Sequence, residues 1–480
     1  CWPSLLRQKP RFAISWNPSS REFRAISCNM RELAGQLFGL ELILQKCMNK
    51  RCAAHASFWL VFVALLCAAG MWSYAYRVLI PYQRADAAAH GRPRGNLSDL
   101  YPRWLGAREL LLRGRDPYSA EVTREIQAGF YGRPLDASRP DDPKDQESFA
   151  YPVYVAFYLA PTIRLPFESV RKCFFGLLAG LTIASVLLWL RILRWTLPLS
   201  ATVSVLALTF GTMVVLQALK LQQMTLLVAA LLALAIFLLV TKHEFGAGFV
   251  LALATIKPQV VCGLLLWLAL WTTGDVRRRY RWVVSFLVTM AVLCGMAELW
   301  RPHWITRFFQ AIQEYRIYAS TEPIFDKLLP SPWSRLAEVG TGVAAAFVCW
   351  KNRKVTADSE AFVVTTCLML AATLLIVPTY ALYNQVLLLP ALLLLARDRH
   401  ALWRRTLDVR VLLILVVIQQ SWQWVSGIVL AGLSFVLPAA VVWKAWTIPI
   451  WTALGLPVAV VGLMLALAYR GSLARSAERI

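Results

Sequence analysis

Asp99 stands two residues before Tyr101 near the head of the one long polar interval in the chain, 96–167, and Lys257 stands inside an apolar stretch, 245–273. A carboxylate in a polar loop can take a proton, and an ammonium at membrane depth can hold an anion. Ionisable groups at that depth are costly and so are functional candidates by default. A lysine at a helix end can also snorkel for solvation alone. Further polar groups interrupt apolar sequence at Lys220-Leu221-Gln222-Gln223, at Lys257-Pro258-Gln259 and at 378–385, which includes Tyr383 and Asn384.

The elements that must position these groups follow from local pattern. Trp104, Leu105, Ala107, Leu110, Leu111 and Leu112 make an amphipathic helix after Asp99, ended by Gly114 and the turn Asp116-Pro117-Tyr118. Ser98 and Asp99 are both good N-cap residues, so a purely structural role for Asp99 stands beside a chemical one. The segment 149–161, with Phe149, Tyr151, Tyr154, Phe157 and Tyr158, is short for a span, which needs about 20 apolar residues. Its aromatics suit the headgroup boundary, so it is expected to lie flat there.

Of 480 residues 58% are hydrophobic and the mean hydropathy is +0.54, which makes the chain an all-α polytopic membrane protein. The net charge of +23 fits cytoplasmic loops and anionic lipid, and no nucleic-acid motif appears. The ten cysteines avoid the polar loop and form no CxxC, which argues against a disulfide framework or zinc site. Asp99 has no DxD partner; no cofactor or metal site is expected, and a divalent cation is left open. Residues 1–47 carry no span-length run, and Met48-Asn49-Lys50-Arg51 reads as a more natural start, so 1–56 is expected to be a tail.

A first span over 57–79 precedes the large loop, 80–171, and about a dozen apolar segments follow it to residue 469, including separate spans at 409–426 and 427–443. The expected count is twelve to thirteen, within a membrane domain 57–470 and before a tail 471–480. Basic residues after alternate spans (Arg191, Lys242, Arg277 to Arg281, Lys351, Arg397) place those turns inside and the Asp99 loop outside. That scheme needs Lys257-Pro258 to be an outside turn between two half-spans; the alternative is one long tilted helix kinked at Pro258.

In order, Asp99-x-Tyr101, a Leu-Leu pair leading to Gly114 and Pro117-Tyr118, Phe149-x-Tyr151-Pro152, Gln222-Gln223-x-Thr225, Ile256-Lys257-Pro258-Gln259 and Pro378 to Pro390 resemble glycosyltransferase family 87. The resemblance covers about 57–400 and implies the GT-C membrane fold. It also implies a multi-pass cell-membrane enzyme, similar to polyprenyl-phosphate-mannose-dependent mannosyltransferases. Such an enzyme passes a hexose, mannose favoured, from a polyprenyl phosphate to a lipid or glycan acceptor hydroxyl outside the cytoplasm, with inversion. By that resemblance Asp99 matches the catalytic base and Lys257 the donor-phosphate residue. Tyr101, Tyr151, Gln223, Gln259, Tyr383 and Asn384 are the substrate-binding candidates.

The sequence departs from the family pattern in having Gln222 where many relatives carry glycine, and no histidine near Tyr383 or Asn384. The resemblance carries over no acceptor class. Asp116 and Tyr118 read as a helix-ending turn, and Asn96-Leu97-Ser98 is a glycosylation sequon by pattern. The alternative function is a multi-span transporter or lipid flippase, which would also show broken helices and intramembrane lysine. The two halves of this chain show no matching hydropathy symmetry.

Overall fold

The computed structural model describes residues 50–92, 98–136, 138–139, 142–143, 145–318, 322–377 and 381–477. The tail 1–47, Asn96 of the sequon, Ser320 in the loop 301–331 and the Pro378-Thr379-Tyr380 run lie outside them. The chain divides into units 1–61 and 62–480, and of the first only the start of the opening helix is described.

The described residues form helices joined by turns and irregular segments, with no strand among them. Among the described residues five helices are long and apolar enough to cross a membrane: Ser57–Ala89, Phe167–Ile192, Val276–Trp300, Leu407–Leu433 and Ala439–Tyr469. Leu199–Phe210 and Met213–Lys220 form a sixth if their 62° bend is one broken span. Thr225–Val240, Glu244–Ala254, Pro258–Thr273, Glu360–Ile376 and Leu382–Arg397 are apolar but shorter. Thr225–Val240 is apolar on every face and mostly buried, and Glu360–Ile376 is sheathed along nearly its whole length. Helices surrounded by protein need not match the bilayer, whereas Val276–Trp300 turns Leu287, Val288 and Leu299 outward.

The expected break between 426 and 427 is not there. Leu407–Leu433 is one helix of 27 residues. Ser426 satisfies its hydroxyl on the Trp422 carbonyl at 2.6 Å, and Gly427 is small because Met71 lies against it; a Cβ would sit 2.2 Å from Met71 Sδ. The glycine is a packing residue in a continuous helix. The first helix likewise runs past residue 79, through a π turn at Ala75–Leu79 into Ile80–Ala89.

At Lys257 the chain reverses. Glu244–Ala254 ends, three residues turn, and Pro258–Thr273 begins with proline at its first position. Trp282 decides between a hairpin and a kinked rod. Its carbonyl is so close to Gly248 that a Cβ there would fall 2.1 Å away, and its indole Nε1 donates to Thr272 Oγ1 at 3.0 Å. In a continuous helix Gly248 and Thr272 would be about 36 Å apart at 1.5 Å per residue, beyond the reach of one tryptophan. The two half-helices therefore fold back, with Lys257 at their shared tip.

The basic turns gather at the opposite end. Arg397 Nη1 donates to the Leu193 carbonyl at 2.8 Å, Arg194 Nη2 to the Asp358 carbonyl at 3.1 Å, and Arg279 Nη1 to the Arg353 carbonyl at 2.6 Å.

Candidate active site

The loop after the first helix supplies a rigid shelf. Leu100–Arg113 ends at Gly114 in the left-handed region (φ 65°), and Ala120–Tyr131 starts at Ser119, whose hydroxyl accepts from Val122 N at 3.3 Å. Asp116 does more than turn the chain. Its Oδ1 accepts from Tyr118 N at 3.1 Å, while its Oδ2 takes Arg301 Nη2 at 2.5 Å and Arg307, tying the loop beyond residue 300 onto this shelf.

The segment expected to lie flat at the headgroups is largely buried in protein, with an α-helical turn at Val155–Leu159 followed by a 3-10 turn at Ala160–Thr162. Tyr154 and Tyr158 donate to the carbonyls of Thr255 and Leu253, at 2.9 and 2.8 Å. Those carbonyls belong to the end of Glu244–Ala254, where a helix leaves acceptors unmet. The tyrosines' polar tips serve the Lys257 turn.

Asp99 stands at the start of Leu100–Arg113, but its side chain makes no cap bond. Ser98 does that work: its Oγ accepts from Leu100 N at 3.2 Å and lies 2.7 Å from Gln222 Oε1. The Asp99 carboxylate is left to accept a hydrogen bond from Gln223 Nε2, and its backbone N–H donates to the Leu221 carbonyl at 3.0 Å. Burial pushes the Asp99 carboxyl above the ordinary aspartate value, against the opposing pull of Arg103 and the Gln223 amide.

Lys257 is 4% exposed and does not snorkel. Its Nζ lies 2.5 Å from Thr225 Oγ1, 3.0 Å from Asn384 Oδ1 and 3.5 Å from Gln223 Oε1, and 4.6 Å from the centre of the Tyr383 ring. A buried ammonium needs such partners, and the ring face adds a cation–π contact. Gln223 spans the site, donating to Asp99 through its nitrogen and accepting from Lys257 through its oxygen.

Of the expected site residues, Asp99, Gln223, Lys257, Tyr383 and Asn384 are thus brought together. Tyr151 joins at one remove, its ring under the Arg103 guanidinium at 4.6 Å. Tyr101 turns away, packing on Phe167 at 4.8 Å and over Gly129, where a Cβ would fall 1.8 Å from its hydroxyl. Gln259 is half-buried in the first turn of its helix, its carbonyl accepting from Cys262 Sγ at 3.3 Å, and does not enter the cluster. Two members were missed. Thr225 follows Gln223 by two and holds Lys257; Arg103 follows Asp99 by four, the spacing that puts two residues on one helix face, and its Nη1 donates to the Asp99 carbonyl at 2.6 Å.

Residues 149–378 match the model of glycosyltransferase family 87. This stretch is a glycosyltransferase family 87 domain. The family implies a membrane glycosyltransferase, and among curated proteins and solved structures none matches the chain. The family 87 domain supplies Tyr151, Gln223, Thr225 and Lys257. Asp99 precedes it and Asn384 follows it, so the cluster is completed from both flanks of the matched stretch.

Proposed function

We propose that this family 87 protein transfers a hexose, mannose favoured, from a polyprenyl phosphate to an acceptor hydroxyl of a lipid or glycan, on the extracytoplasmic face of the cell membrane and with inversion. On this reading the architecture is of the GT-C type. The acceptor oxygen attacks the anomeric carbon, the bond from that carbon to the phosphate oxygen breaks, and its electron pair leaves with the phosphate. The hydroxyl proton passes to Asp99, which supplies general-base catalysis. Lys257 meets the charge that grows on the phosphate, a contact stronger in the transition state than before it.

The observation that supports this reading is the bridge from the uncapped Asp99 carboxylate through Gln223 to the buried Lys257 ammonium. It puts a proton acceptor and a cation within one side chain's span, as a displacement with an anionic leaving group requires. The basic turns at the far end support a cytoplasmic position for that end under the positive-inside rule, and with it an outside position for the cluster. A donor whose tail stays in the bilayer also needs no loop for a sugar nucleotide. The test is to give membranes containing the protein radiolabelled polyprenyl-phosphate mannose and, separately, glucose. Label leaving the carrier for an acceptor is expected, and no transfer from either would overturn the enzyme reading.

A further inference from the structure

We propose that a groove in the side of the helical bundle binds an anionic membrane phospholipid, with one acyl chain in the groove and the lipid phosphate on Arg399. The site is separate from the Asp99 and Lys257 cluster and stands whatever donor the protein uses.

The groove is a cavity of about 360 Å³ between the bent pair Leu199–Phe210 and Met213–Lys220, the segment Leu382–Arg397 and the helix Leu407–Leu433. Small-molecule pockets span about 300–1,000 Å³, so it is large enough to hold a ligand. Its polar backbone is already satisfied at the 62° elbow. Trp424 Nε1 donates to the Gly211 carbonyl at 3.0 Å, and Met213 N donates to Gln423 Oε1 at 2.7 Å. What remains is a hydrocarbon wall, with Val215, Val386, Leu393 and Val416 as a buried floor. Val417 and Ala396 on its rim are exposed, so the groove opens toward the outside of the bundle. On a polytopic membrane protein the solvent there is lipid, and an apolar recess takes hydrocarbon from it.

Length and charge narrow the occupant to one class. Along Leu407–Leu433 the lining runs from Leu413 to Trp424, a rise of about 16 Å. That is close to half of the roughly 30 Å hydrocarbon core, the depth of one leaflet. The lining starts at Gln385, beside Asn384, and ends at Arg399, at the end of the bundle where the basic turns gather. Arg397 engages both nearby carboxylates, those of Glu360 and Asp398. Arg399 is left exposed, with no ion pair among the described residues, its Nη1 donating only to the Ala396 carbonyl at 3.1 Å. Around it, residues 397–410 hold five arginines against two aspartates. A phosphodiester at Arg399 gains a charge-assisted bond while its chain fills the groove, and basic recesses between membrane helices hold anionic headgroups in this way. An isoprenoid donor would also fill the groove, but its phosphate on Lys257 would leave Arg399 unused. The lipid also has a structural consequence for catalysis. Gln385 and Val386 belong to the same 3-10 segment as Asn384, so a chain against them braces the turn that holds Lys257.

The experiment titrates delipidated full-length protein in detergent with dioleoyl phosphatidylglycerol and with dioleoyl phosphatidylcholine, counting bound lipid by native mass spectrometry. Wild type should prefer the anionic lipid by about fivefold, the effect of one arginine beside an anionic headgroup. Arg399→Gln, at an exposed position, should abolish that preference. Lys354→Gln, exposed at the same end of the bundle but outside the groove, should keep it. Leu392→Trp, which fills the groove, should weaken both lipids; Ala396→Trp on the rim carries this arm if Leu392→Trp does not fold. Farnesyl phosphate should not displace phosphatidylglycerol from the wild type. Equal binding of the two lipids, a preference that survives Arg399→Gln, or unchanged binding in the filled groove would overturn the proposal. Displacement by farnesyl phosphate would overturn it too, by giving the groove to an isoprenoid chain.

Discussion

Replacing Asp99 by asparagine separates chemistry from architecture at a single oxygen. Asparagine is nearly isosteric, and its Oδ1 can still accept from Gln223 Nε2, so the hydrogen bond that orients the side chain survives. Helix capping is unaffected, because Ser98 and not Asp99 caps Leu100. The amide has no useful proton affinity, so turnover should fall by about 10²–10⁴-fold, a barrier increase of about 2.7–5.4 kcal/mol. Stability should move the other way or not at all. Burial raises the Asp99 carboxyl above its unfolded value, so the folded state binds the proton more readily than the unfolded chain. Folding then bears a cost that grows as pH rises from the unfolded value to the raised folded value and is complete above it. Asparagine removes the charge and with it that cost, so the melting temperature should hold or rise. The same shift moves the acid limb of kcat/KM above the ordinary carboxylate range, and Asp99→Asn should abolish that limb. The assay is single-turnover transfer from saturating labelled polyprenyl-phosphate mannose, on protein reconstituted in lipid. A variant keeping more than about a tenth of wild-type turnover would refute the base assignment.

Lys257→Ala should weaken donor use and turnover by roughly 10- to 150-fold, the loss of one charge-assisted contact of about 1.5–3 kcal/mol, and Lys257→Arg should recover part of it; wild-type kinetics in the alanine variant would reduce Lys257 to a structural role. In a cysteine-free background Gln259→Cys should react with a membrane-impermeant reagent from outside and Arg278→Cys only from inside, and cytoplasmic labelling of Gln259→Cys would invert the orientation. Gln222→Gly should relieve about 1–2 kcal/mol of left-handed backbone cost yet lower turnover, because the side chain that holds Ser98 beside Asp99 is gone; turnover equal to wild type would mean that the backbone alone sets the corner.

The apolar spans and the polar residues that break them were legible because each is written locally, whereas at Lys257 local spacing left a hairpin and a kinked helix open until the contacts of Trp282 with Gly248 and Thr272 decided it. What failed depended on direction or on distant partners. Tyr101 was grouped with Asp99 by nearness in sequence, but two residues on a helix are about 200° apart in projection, so the two cannot face one site. Arg103 satisfies the four-residue rule and could have been found by it. The packing of the run 149–161 was not legible because aromatic side chains with polar tips suit a headgroup layer and a helix end equally; the Leu253 and Thr255 carbonyls that claim Tyr158 and Tyr154 lie about a hundred residues away in sequence. The expected boundary between 426 and 427 fell inside one helix, where Gly427 leaves the space that Met71 fills.

Asp99, Gln223 and Lys257 all enter the cluster from backbone just before a helix, and this shapes the electrostatics. Asp99 precedes Leu100–Arg113, Gln223 and Thr225 open Thr225–Val240, and Lys257 precedes Pro258–Thr273. The turn before Gln223 requires Gln222 in the left-handed region (φ 48°), where a side chain is costly unless it is used. Here Gln222 Nε2 donates to the Leu219 carbonyl at 2.6 Å while its Oε1 faces Ser98, so the residue standing where many relatives have glycine locks two of these starts together. Hydrogen bonds from Asp99 N to the Leu221 carbonyl, from Gln223 to Asp99 and from Lys257 to Gln223 draw the third start to the same point. Each helix start carries partial positive charge from its unmet N–H groups, about half an elementary charge at the terminus. Three of them converging oppose the burial that raises the Asp99 carboxyl, which favours the ionised base. They favour an anion in the same space when the sugar–phosphate bond breaks. One arrangement of helix starts therefore serves both ends of the displacement, the carboxylate that receives the proton and the phosphate that leaves.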